Sequence, residues 1–179
     1  MINIENITDK VYRKLAIQVA TNELSFCVFD TLNSTVKSVK SIFFNTFEAS
    51  IKTEDLFADA FQNFPELNDK YDDVVVIHNN NLSTFVPKAI FDEEYLGSYL
   101  QYNTKVFEND FFAFDLLENY DMSNVYIPYI NINNFFIDQF GAFNYIHSSS
   151  ILVTKLLDLS KNNDDKKMFI HKNLSHFEI

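Results

Sequence analysis

Four histidines, one cysteine and 25 acidic residues are the groups in this 179-residue chain with the chemistry to act as base, nucleophile or metal ligand. Their spacing gathers almost none of them. His78 closes the apolar run Val74-Val75-Val76-Ile77, at the carboxyl end of a predicted strand, where α/β proteins place functional groups. The same position suits a histidine held by hydrogen bonds inside the fold. His171 and His176 fall on the two arms of a predicted terminal hairpin, with no carboxylate or cysteine at ligand spacing. His147 precedes three serines and reads as part of a helix-capping turn. Cys27 lies in a strand with no neighbouring signal of a lowered pKa, so packing is its expected role. The carboxylate pairs Asp72-Asp73 and Asp92-Glu93-Glu94 precede a strand and open a helix, where capping and solubility account for them.

The two glycines, Gly97 and Gly141, exclude every phosphate loop built on closely spaced glycines, the P-loop and the dinucleotide turn included. Gly97 sits inside a helical pattern and predicts close packing. Gly141 follows a helix end at Phe140 and predicts a C-cap. No Gly-x-Ser-x-Gly elbow is present either.

Composition narrows the class further. An apolar fraction of 47% with 22% charged residues belongs to a globular chain, and 20 Phe with 9 Tyr and no Trp predict a core built on phenylalanine. The net charge of −11 argues against nucleic-acid binding, which needs a field that attracts phosphate. One cysteine can form no internal disulfide, and the polar opening MINIENITDKVYRK lacks the apolar centre of a signal peptide. The longest apolar stretch, Phe111 to Leu117, is broken by Asp115 and is far shorter than the ~20 residues a membrane span requires. A cytoplasmic protein with no membrane insertion is the expectation.

The elements that must position these residues follow from periodicity. Leu15, Ile17 and Val19, then Leu24, Phe26 and Val28, alternate across a turn at Thr21-Asn22-Glu23, and a third strand runs from Thr35 to Asn45 after Asn33-Ser34. Thr53 is the expected N-cap of a helix whose stripe is Leu56, Phe57, Ala60, Phe61 and Phe64, ended by Pro65. Val74–His78 predicts a strand buried on both faces, parallel and central. After a loop at Asn79-Asn80-Asn81 and Pro87, a helix is expected from Asp92 to about Asn103, with Tyr95, Leu96, Tyr99 and Leu100 inward. Strands at Phe111–Leu116, Val125–Tyr129 and Phe143–Ile146 and helices at Asn131–Phe140 and Ser148–Ser160 follow. A loop at Asn162–Asp165 precedes a last hairpin. The fold class is mixed α/β. Three antiparallel strands, helix, strand, helix is the arrangement of an RNase H-like domain, expected over residues 1–105. Residues 106–179 are expected to connect to, and begin, a second similar domain, because FIHKNLSHFEI echoes IQVATNELSFCVF with Leu174-Ser175 in the place of Leu24-Ser25.

The strands KLAIQVATNELSFCVFD, the Phe43–Phe47 run, the Val86–Glu94 stretch and the NVYIPY strand at Asn124–Tyr129 resemble a bacterial family of uncharacterised proteins with an actin-like ATPase fold. The resemblance covers the whole chain through packing and turn residues. It implies a longer protein, with a second hairpin and another Asn-Thr-Phe element beyond Ile179. The actin-like cytoplasmic proteins of type IV pilus and type II secretion machines are its functional analogues by fold alone.

Actin-like ATPases carry an Asp-x-Gly-Thr turn after the first strand, the Asp holding hydrated magnesium and the glycine admitting phosphate. The matching residues here are Gln18-Val19-Ala20-Thr21. Gln18 removes the charge and Ala20 adds a methyl; only Thr21 fits. Gln18 equally replaces the carboxylate a two-metal nuclease needs in its first strand. The expectation is therefore a non-catalytic interaction or scaffold module with a degenerate phosphate turn, no resident cofactor or metal, and a protein partner or self-association. The alternative is a nucleotide switch or weak ATPase that binds Mg-ATP through residues of a longer chain.

Overall fold

The computed structural model describes residues 10–44, 52–161, 166–172 and 177–178. The alternation that opens the chain produces an antiparallel meander: β1 (Arg13–Ala20) pairs with β2 (Glu23–Asp30), and β2 with β3 (Thr35–Phe43). Leu15, Ile17 and Val19 lie beside Leu24, Phe26 and Val28 on one face, and all six are buried. Ala16, Gln18, Ser25 and Cys27 occupy the other face and are half-buried. The register slips between Val28 and Phe29, leaving Lys37 as the extra residue of a bulge, where it reaches Asp30 at 3.2 Å.

β4 (Asp73–His78) runs parallel to β1, and β8 (Asn144–His147) runs parallel to β4, giving the order β3-β2-β1-β4-β8. Helix α1 (Thr53–Asn63) connects β3 to β4, and α3 (Ile130–Phe140) lies between β4 and β8. Both cover the same apolar face. Phe57, Ala60 and Phe61 of α1 and Ile132 and Phe136 of α3 join the strand residues in one core. That core is a lattice of rings: Phe136 stacks on Phe57 and Phe140 and meets Phe135 and Phe143 edge-on. Phenylalanine fills this layer because its flat ring packs closely while leaving no polar atom to satisfy.

Between β4 and α3 the chain builds a second sheet, in the order β5 (Ser83–Pro87), β7 (Met122–Tyr126), β6 (Ala113–Leu117), all antiparallel. Helix α2 (Leu96–Leu100) covers one face of it, with Val86, Leu100 and Val125 at the centre of a small core. Helix α4 (Ser148–Ser160) follows β8 and meets β6 across the other face. The chain ends in the predicted hairpin, β9 (His171–Lys172) and β10 (Phe177–Glu178). Residues on both sides of position 105 share the five-stranded sheet, because β8 adds to β4 after the three-stranded sheet has been inserted.

Several expectations are corrected. Lys52, not Thr53, is the N-cap of α1; Thr53 is the first helical residue, and no side chain caps that end. β4 is central and parallel, but only its Val74, Val76 and His78 face is fully buried, since Val75 and Ile77 look to the face opposite α1 and α3 and are half-buried. The helix expected from Asp92 to Asn103 shrinks to a 3-10 turn at Glu93–Tyr95 and five residues of α2, with Tyr95 exposed. Ser83–Pro87, to which the sequence reading assigns no element, is a strand: Pro87 closes it at an edge, where a missing N–H costs no ladder bond. The two strands at 111–116 and 125–129 shift to Ala113–Leu117 and Met122–Tyr126. Asn45 and the rest of the 45–47 run, the loop at 162–165, Leu174-Ser175, His176 and Ile179 lie outside the described residues.

Candidate functional site

Two places concentrate the residues singled out by the sequence, and both lie at the carboxyl ends of the parallel strands. The first is the β1–β2 turn. Ala20 pairs with Glu23, so Thr21 and Asn22 are the only residues of the turn, and neither adopts a positive φ. Gln18, Ala20 and Thr21 are therefore close together, the first two half-buried and Thr21 exposed. The backbone around them is already engaged: the Asn22 carbonyl accepts from Phe44 N–H at 2.9 Å, and the Val19 carbonyl from Asn79 N–H at 2.9 Å. A phosphate site needs converging backbone N–H groups and a positive field. Here a tight ladder closes the turn, Gln18 is neutral, and the Glu23 carboxylate lies beside it, held by Ser25 Oγ at 2.5 Å. This set does not fit a magnesium-bound phosphate.

The second place is a polar junction where the five-stranded sheet, the inserted sheet and α4 meet. His78 and His147 are register partners on β4 and β8, and both are fully buried. Tyr129 N–H donates to His78 Nδ1 at 3.3 Å, which leaves the Nε2–H to donate to Asn133 Oδ1 at 3.0 Å. Those partners assign one neutral tautomer. Burial holds the imidazole down to a pKa of about 4, against a smaller upward pull from Asn133. His147 is the N-cap of α4, its Nδ1 accepting from Ser149 N–H at 3.1 Å and its Nε2 directed at Asn80 Oδ1 at 3.3 Å. The expected capping turn is thus made by the histidine itself.

Asp115, from β6, reaches into the same junction. Its Oδ2 accepts from His147 N–H at 2.8 Å and from Ser150 Oγ at 2.5 Å, and its Oδ1 from Tyr126 OH at 3.1 Å. A carboxylate from the inserted sheet thereby occupies the amino end of α4, the position an external anion would otherwise favour. Burial raises the Asp115 pKa, and the bonds from Ser150, His147 and Tyr126 oppose that rise without cancelling it. Asn124 Nδ2 donates to Ser150 Oγ at 2.9 Å, and Ser148 Oγ to Asn79 Oδ1 at 2.9 Å. Asn80 bridges the two sheets through Ile127 O at 3.0 Å and Leu82 N–H at 2.8 Å.

Chemically the junction is a fastening. Both ring nitrogens of His78 are committed to the framework, so it has no free lone pair with which to act as a base. Grooves open elsewhere. One of about 380 Å³ lies at the amino ends of β4 and β8, between the 69–74 and 139–144 segments; the other, about 520 Å³, lies between α1 and α3 beside Phe61 and Phe135. In the first groove Asp72 is spent on the N–H groups of Val11 and Arg13, and Asp69 and Asp73 pair with Arg13 and Lys14. Among the described residues no group of three His, Cys, Asp or Glu could hold a metal ion. His171 lies on β9 and Cys27 faces the half-buried side of β2. Sequence reasoning missed Asp115 and Asn133 as partners of the histidines. The available signal was an acid inside the apolar run Phe111–Leu117.

A crystal structure from Bacteroides thetaiotaomicron VPI-5482, of a protein with actin-like ATPase fold and unknown function, matches 95% of this chain with a TM-score of 0.80 at 19% identity. The chain spans 64% of that protein's length. The cytoplasmic domain of EpsL, an inner membrane component of the type II secretion system of Vibrio cholerae, matches 75% of this chain and 55% of its own at a TM-score of 0.45 and 13% identity. No curated protein matches the sequence. The first likeness shows the fold, which is actin-like. No helix among the described residues is long and apolar enough to cross a membrane. The sequence itself is matched over residues 3–179 by the family described as protein of unknown function (DUF3822), to which this chain belongs.

Proposed function

We propose that this chain is a non-catalytic interaction or scaffold module, an actin-like domain whose phosphate turn has degenerated, working in the cytoplasm. The observation that carries the reading is the β1–β2 turn: two residues long, without glycine, with neutral Gln18 before it and Glu23 after it. The commitment of His78 and Asp115 to framework hydrogen bonds supports it, since those groups fasten elements together and leave no poised base. A partner is expected to be protein, because the charge of −11 repels nucleic acid.

The test is a thermal-shift titration with Mg-ATP, Mg-ADP and Mg-GTP, alongside a phosphate-release assay. A nucleotide at 100 times its dissociation constant would add ~2.7 kcal/mol of stability. The expected result is no shift and no release. A shift abolished by Thr21→Ala would replace this reading with that of a nucleotide switch, and phosphate release would make the protein an ATPase.

A further inference from the structure

β3 forms the outer edge of the five-stranded sheet, and no described strand pairs with its far side. Phe44 N–H donates to the Asn22 carbonyl, which fixes the alternation of the antiparallel ladder. Ser38, Lys40 and Ile42 direct their N–H and C=O groups toward β2. Val39, Ser41 and Phe43 direct theirs outward. The same three residues project from the face of the sheet opposite α1 and α3, and Val39 and Phe43 are 67% and 62% exposed.

Edge strands in monomeric proteins are ordinarily kept apart by short length, proline, outward-reaching lysine or a β-bulge, and the bulge of β3 at Lys37 lies outside the stretch from Ser38 to Phe44. β3 is nine residues long and contains no proline. Its lysines are turned to acids of the same molecule, Lys37 to Asp30 and Lys40 to Glu66 at 2.5 Å. The segment beyond the bulge, Ser38 to Phe44, has no acidic residue in a chain of net charge −11. It is a strip where two copies can approach without bringing carboxylates together.

We propose that β3 pairs antiparallel with β3 of a second copy about a two-fold axis at Ser41. In this register Val39 of each copy faces Phe43 of the other, Ser41 faces Ser41, and Lys40 faces Ile42. No lysine opposes a lysine, which is the charge pattern an isologous contact needs. The facing residues are the ones with outward backbone groups, so each facing pair exchanges two backbone hydrogen bonds. The apolar row of Val39 and Phe43 becomes continuous across the axis, and the two sheets join into one. The alternative registers are worse: centring the axis on Val39 brings the Lys37 bulge into the contact, where its side chains change face. This inference rests on the interaction reading above and names its partner as a copy of the chain.

Sedimentation of the full chain over a range of concentrations is expected to show a monomer–dimer equilibrium. Val39→Lys and Ser41→Pro should each shift it to monomer. The proline removes only an outward N–H, so the fold's own ladder stays whole. In a Cys27→Ser background, Ser41→Cys should give a disulfide-linked dimer on mild oxidation, because facing pairs that exchange hydrogen bonds have Cα atoms ~5.5 Å apart, within disulfide reach. Ser38→Cys, on the other face, should not. A chain that stays monomeric at every concentration, a dimer unmoved by both edge variants, or equal cross-linking at 38 and 41 would each overturn the proposal. A monomer that binds no nucleotide would overturn only the dimer and leave the scaffold reading standing.

Discussion

The two sheets of this protein are stabilised by different means. The five-stranded sheet rests its apolar face on α1 and α3, and fourteen of the described residues are buried there in one continuous core. Among the described residues the inserted sheet has Val86, Leu100 and Val125 as its buried cluster beside α2, while its other side, which also buries Ala113 and Leu117, meets α4 through Asp115, Asn124, Tyr126 and Ser150. In the first, stability comes from filled volume, to which many residues contribute a little. In the second it comes largely from a few hydrogen bonds, since a buried polar group left without its partner costs ~1–3 kcal/mol; Asn124 Oδ1, without a partner here, is one such group. The large sheet should therefore tolerate like-for-like apolar exchange, and the junction should not.

The largest effect is expected in the phenylalanine layer. Phe136 is fully buried among Phe57, Phe61, Phe140 and Phe143. Phe136→Ala should lower the unfolding free energy by about 3–5 kcal/mol in urea, and Phe136→Leu by far less, because volume rather than ring chemistry is what the site needs. If Leu costs as much as Ala, the contrast drawn between the two sheets fails.

His78 tests the junction by pH. Its folded-state pKa of about 4 lies below the ordinary 6.5, so the unfolded chain takes up a proton over a range where the folded one does not. The resulting stability is fully present above pH 6.5, declines as pH falls toward about 4, and is gone below. The gap corresponds to ~3 kcal/mol at 1.36 kcal/mol per pH unit. His78→Gln should flatten this part of the profile. A wild-type profile already flat between pH 6.5 and 4 would mean that the imidazole is more hydrated than its burial implies.

Asp115 carries the opposite sign. A carboxyl whose pKa is raised in the folded state binds its proton more tightly there, so its ionisation weakens the fold as pH rises from the ordinary 3.8 through the folded value. Asp115→Asn keeps an oxygen for His147 N–H and Ser150 Oγ and offers an N–H₂ to the Tyr126 oxygen. It should change stability at neutral pH by no more than about 1 kcal/mol and remove that slope. Asp115→Ala, which leaves three donors unanswered, should cost about 3 kcal/mol, the low end of the cost of three unpartnered groups. Equal effects of Asn and Ala would show that neither the bonds Asn keeps nor the volume it fills holds the junction together.

What could be read from the sequence follows the same division. The meander, α1, β4, α3 and α4 were legible because apolar periodicity reports directly on a face buried against a large core. Of the inserted sheet, β6 and β7 were legible with shifted bounds, and β5 was not. Ser83–Pro87 alternates Thr84 and Val86 with Ser83 and Phe85, and its inward residues face a core too small to impose a clear period. Asn79 and Asn80 look like loop filler in sequence, yet they hold Ser148, Ile127 and Leu82 across two sheets. Such contacts depend on which distant elements meet, and no local pattern encodes that. The position of the β1–β2 turn was legible because a hairpin turn is set by its own residues, although the expected Thr21-Asn22-Glu23 shortens to Thr21-Asn22, with Glu23 opening β2.

The smallest expected effect concerns the inserted sheet's apolar side. A Cβ built on Gly97 of α2 would lie 3.0 Å from the far end of the Phe112 ring, so the helix packs there only for want of a side chain. Alanine adds about 0.8–1 kcal/mol of helix propensity in a helix interior, which is an upper bound at the second residue of this five-residue helix. Gly97→Ala alone should therefore be close to neutral or mildly destabilising, two opposed effects of similar size. In a Phe112→Leu background the contact is relieved, and the same substitution should become stabilising by up to about 1 kcal/mol. The coupling between the two sites, read from a double-mutant cycle in urea, isolates the steric part. Additive effects would show that the small core has slack, and the inserted sheet would then resemble the large one in accommodating volume.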